Sequence, residues 1–234
     1  MDSLRFRQLA AGEILATLGR LRERIEERFP GSGLAQVAHG LRTFADENSA
    51  VLSYLARPHW AIRIGVGVVL AGMAIPVGGI LTTMRPPAGV ARFGELIQVG
   101  EAALSGLVFL GALVLFLVTL ETRLKRSRAL TALHQLRSLA HVVDMHQLTK
   151  DPERMASDQP DTPSSPERTL SQSELGRYLD YCSELLSLIA KVAALHVQRF
   201  NDPQTLAAVN DIESLTSGLS GKIWQKITLL DRSA

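Results

Sequence analysis

Residues 64–84 read IGVGVVLAGMAIPVGGILTTM, and residues 102–120 read AALSGLVFLGALVLFLVTL. The first run has 21 residues and the second 19, and neither contains a charged side chain. A helix needs about 20 apolar residues to cross a hydrocarbon core roughly 30 Å thick. Each run therefore predicts a membrane-spanning helix. A soluble chain of 234 residues has too little protein left over to cover two such helices. The prediction is an all-α integral membrane protein with a two-helix transmembrane hairpin, its spans at about 64–84 and 102–120.

The flanks orient the hairpin. Arg57, His59, Trp60 and Arg63 stand before the first run, and Arg123, Lys125, Arg126 and Arg128 follow the second. The intervening segment, expected as a loop over Arg85–Glu101, offers only Arg85 and Arg92 as basic residues. Basic residues stay on the cytoplasmic side of short loops. Arg57, Arg63, Arg123, Lys125, Arg126 and Arg128 thus set a multi-pass topology in a cytoplasmic (inner) membrane, with both termini cytoplasmic. Within the runs, Gly67/Ala71 and Ala74/Gly78 have the four-residue spacing of close-packing faces, beside Gly72. Ala102/Gly106 repeats that spacing in the second run, so the two spans are expected to pack on each other. Pro76 frees a backbone carbonyl and predicts a kink.

Composition excludes several classes of function. Net charge is only +2, with 25 basic against 23 acidic residues, and no basic face of the kind that binds nucleic acid is concentrated anywhere. A single cysteine, Cys182, rules out an intrachain disulfide framework. The N-terminal stretch is charged throughout and does not read as a secretory signal peptide.

Outside the runs the chain reads as amphipathic helix. Leu9, Ile14, Leu18, Leu21 and Ile25 follow helical spacing, with Arg22/Glu26, Arg20/Glu23 and Arg24/Glu27 placed to pair along the exposed side. That helix either packs in a bundle or lies on the membrane surface. Pro30-Gly31-Ser32-Gly33 breaks it, and a second helix carries Leu34, Val37, Leu41, Phe44, Val51 and Leu55. After the second run one long helix is expected to continue to about Leu148. Residues 150–169 hold four prolines among Ser, Asp and Glu and predict a flexible segment. Ser171 and Glu174 have capping-box spacing. Leu175, Leu179, Cys182, Leu186, Ile189, Ala193 and His196 then form a heptad-like seam. Asp202 and Pro203 start a last helix as N-cap and first residue. The expected organisation is an N-terminal α-hairpin over 1–60, the transmembrane hairpin over 61–122 and a juxtamembrane helix over 123–149. A linker over 150–170 and a C-terminal helical hairpin over 171–234 complete it, giving about five cytoplasmic helices.

Few side chains suggest chemistry. His134 and His141 share a face but stand about 10.5 Å apart along a helix axis, too far for one metal ion. His141 and Asp144 could share one, with His196 as the only third ligand in prospect. His146 points elsewhere. Against that reading stands the commoner one, polar partners inside a bundle. Cys182 sits on the apolar seam and reads as a buried structural thiol rather than a nucleophile. Phosphate-binding loops, dinucleotide turns, serine elbows and His-Glu-x-x-His motifs are all lacking. No cofactor and no enzyme activity are expected. Trp224, between Lys222 and Lys226, reads either as an anchor for a partner or headgroup, or as one edge of the last helix packing down.

The layout, helical regions flanking a short transmembrane hairpin, is similar to several bacterial two-span proteins, including membrane effectors of anti-phage systems. It also resembles coiled-coil-plus-hairpin cation channels such as the mitochondrial calcium uniporter. The segment MRPPAGVARFGE lacks both that family's acidic selectivity motif and the Gly-Met-Asn motif of bacterial magnesium channels. The resemblance is one of layout and carries over no residue. The expected role is non-enzymatic: self-assembly, or docking of a soluble partner, by the cytoplasmic helices of a bilayer-embedded protein. The alternative is an oligomeric pore-forming or channel-like effector gated by those helices.

Overall fold

A computed structural model describes residues 8–83, 93–150, 152, 162–165 and 169–232, with the side chains of 73–74, 76–83, 93–100 and 102–103 outside the description. All the regular structure in it is helical. In chain order the elements are α1 (Ala11–Arg28), α2 (Gly33–Ala56), α3 (Trp60–Thr83), α4 (Phe93–Leu148), α5 (Gln172–Arg199) and α6 (Pro203–Arg232). The chain divides into two compact units. One comprises Met1–Ala56 with Arg126–Ala234, and the other Arg57–Lys125.

The first unit is a helical bundle whose buried positions recur in steps of four and three. In α1 they are Ile14, Leu18, Leu21 and Ile25. In α5 they include Leu175, Leu179, Cys182, Leu186, Ile189, Ala193 and His196. In α6 they include Val209, Ile212, Thr216, Leu219 and Ile223. A 4–3 step keeps one stripe of a helix facing its neighbours, so these stripes close on a shared core. α5 packs on α6, α1 and α2, and α1 also packs on α2. Leu133, Leu136, Ala140 and Val143 of α4 join the same core. The α1 stripe is thereby used up inside the protein, which removes the surface-lying alternative for that helix.

The stripe on α2 differs from the expected one. Leu34, Ala38, Leu41, Ala45, Asn48, Leu52 and Leu55 are buried, whereas Phe44 and Val51 lie half-buried at its margin. Two alanines and an asparagine carry no apolar signal, so the seam was hidden by its own small and polar members. The expected pairs on α1 also differ. Arg24 reaches across to Glu184 of α5 at 3.2 Å instead of to Glu27, and Arg22 meets Glu23 at 3.5 Å. A neighbouring helix offers Arg24 a carboxylate and, in the Tyr181 ring 5.1 Å away, an aromatic face as well.

Helix ends are set locally. The Phe29 amide donates to the Ile25 carbonyl at the end of α1, and Gly31 takes the left-handed conformation (φ 66°) that turns the chain into α2. Ser171 and Glu174 form a full capping box on α5. A Cβ added to Gly33, the first residue of α2, would run into the His146 imidazole in the last turns of α4. His146 is thus spent on packing. Lys226 of α6 donates to the carbonyls of Gln147 (2.8 Å) and Lys150 (3.0 Å) at the C-terminal end of α4, where the Gln147 carbonyl also accepts from the Lys150 amide at 3.1 Å. A cation at a helix C-terminus stabilises it by about 1 kcal/mol. Lys226→Met should therefore lower protection of the last-turn amides of α4 against hydrogen exchange by about fivefold, with the far end of α5 unchanged.

In the second unit, α4 begins at Phe93, so the segment expected as a loop over Arg85–Glu101 is helical from Phe93 onward. Once Pro86 and Pro87 are passed, no further proline stands before the apolar run. Within α4, Leu104–Leu148 is long and apolar enough to cross a membrane, by length and composition, and none of its most apolar window is buried.

Candidate functional site

The apolar part of α4 is bare over most of its surface, with Leu110, Val114 and Leu117 half-buried along one side. Leu107, Val108 and Phe109 are consecutive residues, 67%, 62% and 76% exposed. Three successive positions span more than half a helical turn, so this exposure is wider than a single stripe. On α3, Ile64, Val68 and Ile75 are also more than half exposed.

Charge gathers one residue past the apolar run. Glu121 of α4 accepts from Arg63 Nε of α3 at 2.7 Å and from Lys125 Nζ, one turn on, at 3.0 Å. Its other contact is the His59 backbone amide at 3.3 Å, just before α3. The Arg63 hydrogen bond, opposed by burial and assisted by Lys125 and the His59 amide, holds the Glu121 carboxyl down at about 2. The Arg63 guanidinium also lies 5.9 Å from the Trp60 ring. This carboxylate ties the start of α3 to the middle of α4. Glu121 was not among the residues singled out from the sequence, although its four-residue spacing from Lys125 is a readable signal.

The basic residues after the run have separate employments. Lys125 is buried against Glu121. Arg126 forms a forked ion pair with Asp202 at the head of α6, at 2.6 and 3.1 Å. Arg128 lies 3.8 Å over the Tyr54 ring. Arg123 is exposed, donates to the Thr119 hydroxyl at 3.2 Å and lies 5.3 Å from the Phe116 ring. Arg57 is exposed.

The glycines of the spans are open. A Cβ built on Gly67, Gly72 or Gly106 would meet nothing within 4 Å, and Ala71 is exposed. Pro76 and Gly78 lie within the backbone of α3 and Ala102 within that of α4, but their side chains fall outside the described residues.

The candidate metal ligands stand in different settings. His141 is exposed, and Asp144 accepts from Gln147 Nε2 at 2.6 Å. His196 is fully buried, with Nδ1 3.2 Å from the Val192 carbonyl and Nε2 3.2 Å from Asn48 Oδ1. No three His, Cys, Asp or Glu among the described residues are placed to hold a metal ion. Burial pushes the Cys182 thiol up to about 12, which leaves almost no thiolate at neutral pH. Trp224 stands 61% exposed on α6 and does not pack down.

The described residues thus combine a broad exposed apolar surface, a charged border and a closed bundle core. The chain matches no family model, and no curated protein and no solved structure matches it either.

Proposed function

We propose that the chain is a non-enzymatic two-span membrane protein, with α3 and the apolar part of α4 as a transmembrane hairpin and both termini in the cytoplasm. The observation that carries this reading is the broad surface of exposed apolar side chains on α4. Fully exposing such side chains to water costs about 25 cal/mol per Å2, whereas a bilayer covers them on all sides. The basic residues at Arg57, Arg63 and Arg123–Arg128 support a cytoplasmic position for both ends. The membrane fitting a chain of this kind is a bacterial inner membrane. The bundle self-assembles or docks a soluble partner. Exposed Met145 and Leu148, three apart on α4, and Trp224 on α6 support a docking role.

Cysteine accessibility tests the topology. Cys182 is buried and protonated, so the natural chain supplies a silent background. Introduced as Ala88→Cys, a thiol should react in intact cells with a membrane-impermeant maleimide. Introduced as Ser3→Cys or Ser233→Cys, it should react only after permeabilisation. Labelling of all three in intact cells, or release of the protein by alkaline carbonate, would overturn the reading.

A second reading is an oligomeric pore-forming or channel-like effector gated by the bundle. The open faces at Gly67, Gly72 and Gly106 favour it, because small residues with nothing against them are available to a further copy. Ion flux through liposomes containing the purified protein separates the two readings: a scaffold passes none.

A further inference from the structure

Arg123 differs in what it faces from the other cations that follow the apolar run of α4. Arg63 and Lys125 share Glu121, Arg126 holds Asp202, and Arg128 covers Tyr54. Arg123 meets no carboxylate among the described residues. Its Nε donates to Thr119 Oγ1, and its guanidinium lies beside the Phe116 ring. Both partners precede it in α4, one and two turns back, so the side chain reaches about 6 Å towards the apolar run rather than away from it. Thr119 Oγ1 donates its own proton to the Leu115 carbonyl at 2.8 Å and so has lone pairs to offer Arg123. Both terminal nitrogens of Arg123 are left with no partner among the described residues. Around them Leu115, Phe116 and Val118 are 65%, 47% and 62% exposed.

We propose that Arg123, held by Thr119 and Phe116, is the binding site for the phosphate of an anionic phospholipid. The proposal rests on the membrane reading above. A guanidinium at the depth of the last apolar turn is costly without a counter-ion. Its planar fork matches two phosphate oxygens, and the exposed alkyl and phenyl groups beside it suit the acyl chains of the same lipid. A soluble phosphate ester would satisfy the charge but leave that apolar surface bare.

The test uses the full chain reconstituted in vesicles of phosphatidylcholine with phosphatidylglycerol, extracted in mild detergent and weighed with its retained lipids by native mass spectrometry. The wild type should retain phosphatidylglycerol in preference to phosphatidylcholine by about tenfold, the discrimination expected of one forked, charge-assisted contact. Arg123→Gln should abolish the preference, and Arg137→Gln, which removes an exposed charge from the bundle part of α4, should keep it. Carbonate extraction of each variant reports insertion independently. Inserted protein with no preference, a preference that survives Arg123→Gln, or displacement of the retained lipid by millimolar inorganic phosphate would each overturn the site. Protein that fails to insert would overturn the membrane reading instead, and the lipid site with it.

Discussion

Replacing Asp202 by alanine should destabilise the helical bundle by about 3 kcal/mol, more than any other single charge removal in that unit. Asp202 is only 3% exposed and serves two helices at once. Its Oδ1 accepts from Arg126 Nη2 at 2.6 Å and Nε at 3.1 Å, and its Oδ2 accepts from the Thr205 amide at 3.1 Å and hydroxyl at 3.2 Å. The first set pins α4 to the head of α6, and the second caps α6. The alanine variant leaves a half-buried guanidinium without its counter-ion and an α6 amide without an acceptor. Asp202→Asn separates the two roles, because the amide still caps but no longer neutralises Arg126; its loss should be about half as large. Hydrogen exchange of the Val209 and Ile212 amides in full-length protein reads both variants. Equal protection in Asp202→Ala and wild type would dismiss the pair as an energetic contributor.

The same carboxylate gives the bundle an acid limb. Burial by itself would raise Asp202, but the hydrogen bonds from Arg126 and Thr205 outweigh it and hold the group below its ordinary value of 3.8. A folded-state value below the unfolded one means that the unfolded chain binds the proton first. The stabilisation is therefore complete above the ordinary value and is lost as the pH falls below it. Asp202→Ala should flatten that limb as well as lower the plateau.

The second large effect concerns Asn48 and His196, 148 residues apart and both sealed in the core. Asn48→Leu or His196→Leu alone should each cost about 2 kcal/mol, and the double variant far less than the sum. Each single change leaves a buried polar group without its partner, and that desolvation cost outweighs the value of the bond itself. Asn48 is already under-satisfied, since its Nδ2 has no hydrogen-bond partner among the described residues. With Nδ1 of His196 donating to the Val192 carbonyl, Nε2 of the neutral ring is an acceptor. A half-turn of the Asn48 amide then makes the pair complementary, and protonation of the ring makes the present orientation complementary instead. Burial lowers His196, against hydrogen bonds to the Val192 and Ala193 carbonyls that favour the charged ring. Its unfolded value lies near 6.5, so below that pH the unfolded chain takes up a proton that the folded chain refuses. Bundle stability should fall as the pH drops through 6.5 towards the lowered folded value, and the double variant should lose this slope. Additive single effects in chemical denaturation would refute the coupling.

Much of this molecule was legible in its letters because the relevant physics is local. Helical class follows from spacings of three and four, the capping box at Ser171 from two residues three apart, and the end of the long helix at Leu148 from the composition that follows. The apolar runs announce themselves because hydropathy is additive along a chain. Other features depended on which helix lies beside which. Arg24 chose Glu184 over Glu27, and Arg126, read from the sequence only as a topology-setting charge, grips Asp202, because partners across a bundle compete with those one turn away and are invisible to periodicity. The buried face of α2 was misjudged at Phe44 and Val51 because Ala38, Ala45 and Asn48 mark a seam only once other helices close over it. The sequence by itself determined where helices run and which stretches shun water. The tertiary structure alone decided which charges are neutralised inside the protein and which, Arg123 foremost, are left facing outward, because ion pairing depends on distances through space that no linear spacing encodes.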